Sequence, residues 1–147
     1  MARLRPWRCY RELERPYTRI SRSKKYNYIP GAKPPKIRIF VMGNLKKNSW
    51  KYMANLVCEN DIQIRDAALE AVRVIVNKYL EKYVGKDNYK FEVRGYPHHV
   101  IRENPLVYGA GADRIQKGMR LAFGRPKERA VQVYKGKKLL TIFFDDL

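Results

Sequence analysis

Most of the excess positive charge in this chain, a net of +10 out of +18, lies in its first 40 residues, and five prolines interrupt that same stretch. Proline withholds an amide donor and turns its predecessor away from the helical region. Pro6, Pro16, Pro30, Pro34 and Pro35 therefore leave no room for a helix or a central strand between Met1 and about Lys36. Self-repulsion among so many cations opposes a compact fold unless a polyanion neutralises it. Trp7, Tyr10, Tyr17, Tyr26 and Tyr28 are spaced through the segment. Basic side chains reach phosphates, while planar rings stack on splayed bases or fill RNA grooves. A solvated, disordered tail is the alternative, but five large aromatics lower the solubility of a tail without a partner. The expectation is an arm over residues 1–35 that orders on nucleic acid, with Arg15, Arg19, Arg22, Lys24 and Lys25 among its cations.

Residues 36–147 read as one α+β body. A chain of this length buries roughly 68–70% of its unfolded surface. Its 45% hydrophobic content rules out wholesale disorder. Lys36 to Val41 alternates and predicts a strand with Ile37, Ile39 and Val41 inward. Tyr52 to Glu59 predicts a second. Asp61 to Tyr83 has helical spacing, with Ile64, Ala68, Ala71, Val72, Ile75, Tyr79 and Tyr83 as the inward stripe. Asn60 with Gln63 fits a capping box, and Gly85 a left-handed stop. Tyr89 to Arg94 alternates with Tyr89, Phe91 and Val93 inward, and Tyr96 to Glu103 resumes the pattern, with Pro97 marking an edge or bulge. After a turn-rich loop over Asn104 to Gly111, Ala112 to Phe123 predicts a short second helix. Arg129 to Tyr134 and Lys138 to Phe144 read as a hairpin closed by Lys135-Gly136-Lys137. The sum is an antiparallel or mixed sheet with two helices on one face.

Several function classes fall away. No run of about 18 apolar residues exists to span a membrane. The opening MARLRPWRCY has no apolar core of a secretory signal. Cys9 and Cys58 are too few for a disulfide framework or a four-thiolate zinc site. His98 and His99, adjacent on a strand, point to opposite faces and do not chelate one ion together. Glu103 and Asp113 are the only carboxylate pair near the glycine-rich loop that fits acid–base or Mg²⁺ chemistry. For Asp113 the plainer reading is a charge at the start of the following helix. Gly109-Ala110-Gly111 before a helix lacks the rest of any nucleotide-binding pattern. Arg102, Arg114, Lys117, Arg120, Arg125, Lys127 and Arg129 surround that loop, and guanidinium groups with helix-terminal amides suit phosphate oxygens.

Five segments then occur in an order that resembles one family: RPWRCYR (Arg5–Arg11), KIRIF (Lys36–Phe40), ALEAVRVIVNKY (Ala68–Tyr79), PHHVIREN (Pro97–Asn104) and GADRIQKGMRLAFGRP (Gly111–Pro126). Together they resemble ribosomal protein L-ten-e, the archaeal and eukaryotic counterpart of bacterial L-sixteen, over nearly the whole chain, in an archaeal-like form. The resemblance implies a non-enzymatic constituent of the large ribosomal subunit in the cytoplasm. Its body would be an α/β sandwich docked on rRNA between the central protuberance and the A-site tRNA cleft. It also implies that Arg3, Arg5, Arg8, Tyr10 and Arg11 belong to an rRNA-penetrating extension, and that Arg114, Arg120 and Arg125, with Lys117 beside them, meet rRNA. The segment Arg102, Glu103, Asn104, Pro105, Leu106, Val107, Tyr108, Gly109, Ala110 and Gly111 matches a loop that extends toward the peptidyl-transferase centre and tRNA in the A/P region. Neighbouring ribosomal proteins are implied partners; no cofactor, metal, membrane or homo-oligomer is. The family continues past the last strand with a further helix and strand, so over 36–147 the sheet is expected to lack a covering helix.

Two other readings remain. An RNA-processing enzyme would need His98, His99, Glu103 and Asp113 to converge. A free chromatin or RNA-chaperone protein would act away from ribosomes.

Overall fold

In the computed structural model, residues 7–19, 29–104, 109–120 and 122–145 are described. After a 3₁₀ turn at Trp7–Tyr10, the order is β1 (Val41–Gly43), β2 (Tyr52–Val57), β3 (Ile62–Arg65), α1 (Asp66–Tyr83), β4 (Tyr89–Val93), β5 (His99–Glu103), α2 (Ala112–Ile115), β6 (Arg125–Val133) and β7 (Lys138–Phe144). The strands form two antiparallel sheets, one ordered β1-β4-β7-β2 and the other β3-β6-β5. This is an α+β fold with one substantial helix.

Period-two alternation places Tyr89, Phe91 and Val93 of β4 in the core, as the pattern predicts. Leu69 from α1 and Val131 and Val133 from β6 meet them, so the helix and both sheets share one apolar centre. The Tyr89 hydroxyl donates to Asn77 Oδ1 on α1 at 2.9 Å, which satisfies a polar atom otherwise stranded in the core. Three cross-strand rows run outward from β4: Tyr89–Phe144–Tyr52, Phe91–Ile142–Ala54 and Val93–Leu140–Leu56. Burial fades along them. Tyr89 and Phe91 are fully buried, whereas Tyr52 and Leu56 on edge strand β2 are 57% and 55% exposed. Helix α1 covers the β4 side, and the same apolar face runs out uncovered to β2.

The helix begins at Asp66, not at Asp61. Ile62-Gln63-Ile64-Arg65 instead pairs with β6, because its alternation matches a strand that offers free ladder positions. The proposed Asn60–Gln63 capping box is therefore absent, and the N-cap Arg65 makes no side-chain cap bond. Buried Asp66 takes over: its carboxylate accepts from the Ala67 amide and from the Lys36 amide, both within 2.9 Å. That bond ties the start of the body to the start of the helix. Val84 caps the other end and Gly85 follows at φ +87°, as expected.

The inward face of α1 is also reversed from the prediction. Leu69, Val76 and Leu80 enter the core, while Val72, Ile75, Tyr79 and Tyr83 face outward, Ile75 at 67% exposure. The helix is apolar on two sides, and spacing alone favoured the broader stripe.

Three further differences have local causes. Of the first predicted strand only Val41 onward joins a ladder; Ile37 is buried, Ile39 is exposed, and Phe40 and Met42 turn toward the core. The predicted second helix is a single turn, ending where Gln116 becomes extended. The predicted β6–β7 hairpin does not form: the 135–137 turn carries the chain from one sheet to the other, and bonds to Cys58 in both directions (Gly136 amide to Cys58 O, Cys58 amide to Lys137 O).

Candidate nucleic-acid interface

On the three-stranded sheet, Ile64, Val131 and Val133 face the core, so Gln63, Gln132 and His99 face outward by parity. The N-terminal segment crosses this outer face. One side chain from each strand meets it: Gln63 Nε2 donates to Glu12 O at 2.9 Å, Gln132 Nε2 donates to Glu14 O at 3.0 Å, and His99 Nδ1 accepts from the Tyr17 amide at 2.9 Å. The Val100 amide adds a bond to Tyr17 O at 3.0 Å. These contacts read main chain only, so they place the segment whatever its side chains are. Further along, Arg129 Nε donates to Lys33 O at 2.7 Å.

Where this N-terminal segment reaches β5, three aromatic and cationic groups meet. The Arg102 guanidinium carbon lies 3.8 Å from the Phe123 ring centroid and 4.8 Å from that of Tyr17, and the two rings meet edge to face at 5.3 Å. A β-bulge between Ile101 and Arg102 creates this spot. Pro126 opposite has no amide to donate, so the ladder slips by one residue and re-aims the Arg102 side chain. Gly124 lets the returning chain pass close by: a Cβ there would lie 2.8 Å from the Glu103 carbonyl carbon, at φ +80°. Lys127 pairs with Glu103, and Asn104 Nδ2 reaches Gly118 O at 3.5 Å. The Glu103–Asn104 stem of the 102–111 loop is thus held against the 118–127 segment. A cavity of about 380 Å³ opens beside them, walled by Tyr10, Glu12, Glu14, Gln63, His99 and Phe123 among others.

The predicted cations divide into two groups. Arg102, Lys127 and Arg129 are used internally, as above. Arg114, Lys117, Arg120 and Arg125 are exposed, and none has an ion-pair partner among the described residues. Arg11, which lies over the Trp7 ring, Arg15 and Arg19 are exposed as well and add cations to the surface from the N-terminal segment. Gly109, Ala110 and Gly111 are exposed at the loop's far stem. Arg3, Arg5, Arg22, Lys24, Lys25, Pro105, Leu106, Val107 and Tyr108 lie outside the described residues, as do the side chains of Arg8 and Asp113.

Of the candidate enzyme residues, the described His98, His99 and Glu103 do not converge. His98 stacks on Tyr96 at 4.4 Å while His99 turns to Tyr17, and Glu103 is occupied by Lys127. Among the described residues no group of three His, Cys, Asp or Glu could hold a metal ion, and no helix is long and apolar enough to cross a membrane. Burial holds His99 below the ordinary histidine value, with Arg102 adding to the effect and Glu14 opposing it.

Gln63, Gln132 and the Tyr17–Phe123 ring pair were not anticipated. Their only local signal is a polar residue at an alternating strand position, which any solvated strand also shows.

The sequence profile of the family described as ribosomal protein L16p/L10e matches residues 15–146. The large ribosomal subunit protein uL16 of Nanoarchaeum equitans (strain Kin4-M) is 64% identical over 150 residues, covering 100% of this chain and 81% of that protein. The proteins of the same description from Archaeoglobus fulgidus and Staphylothermus marinus are 47% and 49% identical, covering 97% and 95% of this chain and 78% and 76% of theirs.

Proposed function

Since this chain belongs to the ribosomal protein L16p/L10e family, we propose that it grips large-subunit rRNA at two adjoining places, the arm of residues 1–35 and the cationic stems of the 102–111 loop. It is a structural constituent of the large ribosomal subunit, with rRNA and other ribosomal proteins as partners, and its family is not one of enzymes. The observation that carries the grip at the loop is the set of four exposed cations, Arg114, Lys117, Arg120 and Arg125, without ion-pair partners among the described residues.

Phosphate neutralisation by these residues supplies affinity, and contact with the shape of folded rRNA supplies register. In the arm, Arg3, Arg5, Arg8, Tyr10, Arg11, Arg15, Arg19, Arg22, Lys24 and Lys25 carry the first grip. The loop from Arg102 to Gly111 faces tRNA near the peptidyl-transferase centre. The body over 36–147 is the unit that presents it. Support comes from the pinned Glu103–Asn104 stem, which gives the loop one fixed end, and from main-chain bonds that hold the segment while Arg15 and Arg19 stay exposed.

The test is reconstitution with large-subunit rRNA followed by gradient sedimentation. The chain should travel with the subunit, and charge-neutral replacement of Arg114, Lys117, Arg120 and Arg125 together should release it at lower salt. Unchanged release would remove the loop stems from the interface. Tethered hydroxyl-radical cleavage from position 110 should mark tRNA bound in the A/P region; cuts confined to rRNA would withdraw the tRNA assignment.

A further inference from the structure

We propose that His99 is an acid-releasable latch for the arm: a proton on Nδ1 takes away the acceptor that holds the Tyr17 amide and loosens residues 12–17 from the three-stranded sheet. The Tyr17 amide is a donor that has no alternative role. A backbone N–H only donates, so the 2.9 Å contact from Tyr17 N to His99 Nδ1 requires a bare Nδ1 and leaves the ring proton on Nε2. A protonated ring has donors at both nitrogens, and would set two N–H groups against each other.

The other polar ties of this segment do not titrate. Gln63 to Glu12 O, Gln132 to Glu14 O and the Val100 amide to Tyr17 O are neutral bonds. One of the four ties is therefore gated by a proton, and it sits at the end of the held stretch, next to the Arg102–Tyr17–Phe123 stack.

The surroundings of the ring set the sign. From its own strand, Arg102 opposes a proton; from the arm, Glu14 favours one. Glu12, Tyr10 and Cys9 share the cavity wall with it, as do uncharged Gln63 and the apolar Ala122 and Phe123. On the same sheet face Arg65 and Glu128 are paired with each other. Burial and Arg102 prevail, so the docked ring keeps a lowered proton affinity. Lowered affinity in the docked state means that docking is strongest above the free-histidine range of about 6.5 and weakens as the pH falls through and below it.

Amide hydrogen exchange by NMR on the whole 147-residue chain, from pH 8 to pH 5, tests this. Once intrinsic exchange is removed, protection of the Tyr17 and Val100 amides should fall, approaching about tenfold per pH unit while only the released state takes up the proton. Phe91 in β4 should stay level. His99→Asn, whose Oδ1 accepts the same bond without titrating, should make the Tyr17 profile flat. A flat profile in the unaltered chain, or the same fall in His99→Asn, overturns the proposal. Ring ¹⁵N shifts of the unaltered chain give a second measurement that needs no variant: an Nε2–H tautomer at pH 8 is expected, and an Nδ1–H tautomer overturns it. None of these readouts involves RNA, so the latch stands or falls apart from the ribosomal grip.

Discussion

Gly43 holds φ +87°, and a Cβ at that position would sit 2.3 Å from the carbonyl oxygen of Tyr89. No relaxation of a side chain relieves that contact, because the offending atom is backbone in the central strand β4. Gly43→Ala should cost about 1–3 kcal/mol, read as a lowered midpoint in urea with an unchanged slope. Arg102 raises a different residue-scale question, whether charge or shape matters. Arg102→Lys keeps the charge and loses the planar group stacked on two rings. rRNA affinity should fall by an amount on the order of 0.5–2 kcal/mol, with the salt slope unchanged. Arg102→Gln, which removes the charge as well, should also leave the slope unchanged; a slope reduced by about one would mean that Arg102 reaches a phosphate instead. Of this site, the exposure of Arg114, Lys117, Arg120 and Arg125 was legible because unpaired cations stay in water, whereas their role was not, since a charge run is as often a plain solvated face. The Arg102 stack was not legible either: Tyr17 and Phe123 are distant in sequence and meet only because the arm crosses β5 at a bulge, and local pattern holds no record of that crossing.

At the scale of elements, α1 separates packing from pattern. Leu69 is buried against Tyr89 and Phe91 in the shared core, so Leu69→Ala should cost about 2–5 kcal/mol. Ile75 lies on the opposite side, and Ile75→Ser should change stability by no more than about 0.5 kcal/mol. Thermal or chemical denaturation of both variants measures the contrast, and equal losses would show that the helix packs by its other face. The existence of α1 was legible from the 3.6-residue period between Ala68 and Tyr83. Its buried side was not, since Leu69, Val76 and Leu80 form a stripe as regular as Ala68, Val72, Ile75 and Tyr79. β4 was read correctly because alternation on a central strand has only one apolar side. β6 and β7 were read as a hairpin because the turn residues between them are those of a hairpin. Which sheet each strand joins is decided by long-range pairing with β3 and β4, and a three-residue turn does not encode it.

For the whole molecule, the net charge of +18 makes ionic strength the governing variable. If roughly 6–10 phosphates are neutralised, rRNA affinity should drop by about 10³–10⁵ between 50 and 200 mM salt. Removing residues 1–35 should flatten that dependence while leaving the far-ultraviolet circular dichroism of the remainder nearly unchanged; loss of the body's signal would move the boundary. The same variable acts on the uncovered apolar face described above, where Tyr52 and Leu56 on β2 stand open. Exposed apolar surface draws copies together, and mutual repulsion of strongly cationic copies holds them apart. Charge therefore serves this protein twice, first as adhesive toward a polyanion and again as colloidal protection before it arrives. Salt that screens the first role cancels the second, so the free protein should scatter more light as salt rises, whereas an ordinary basic protein with a covered sheet should stay dispersed. For these 147 residues the consequence is one of timing: the interval before capture by RNA is when the open face is most prone to self-association.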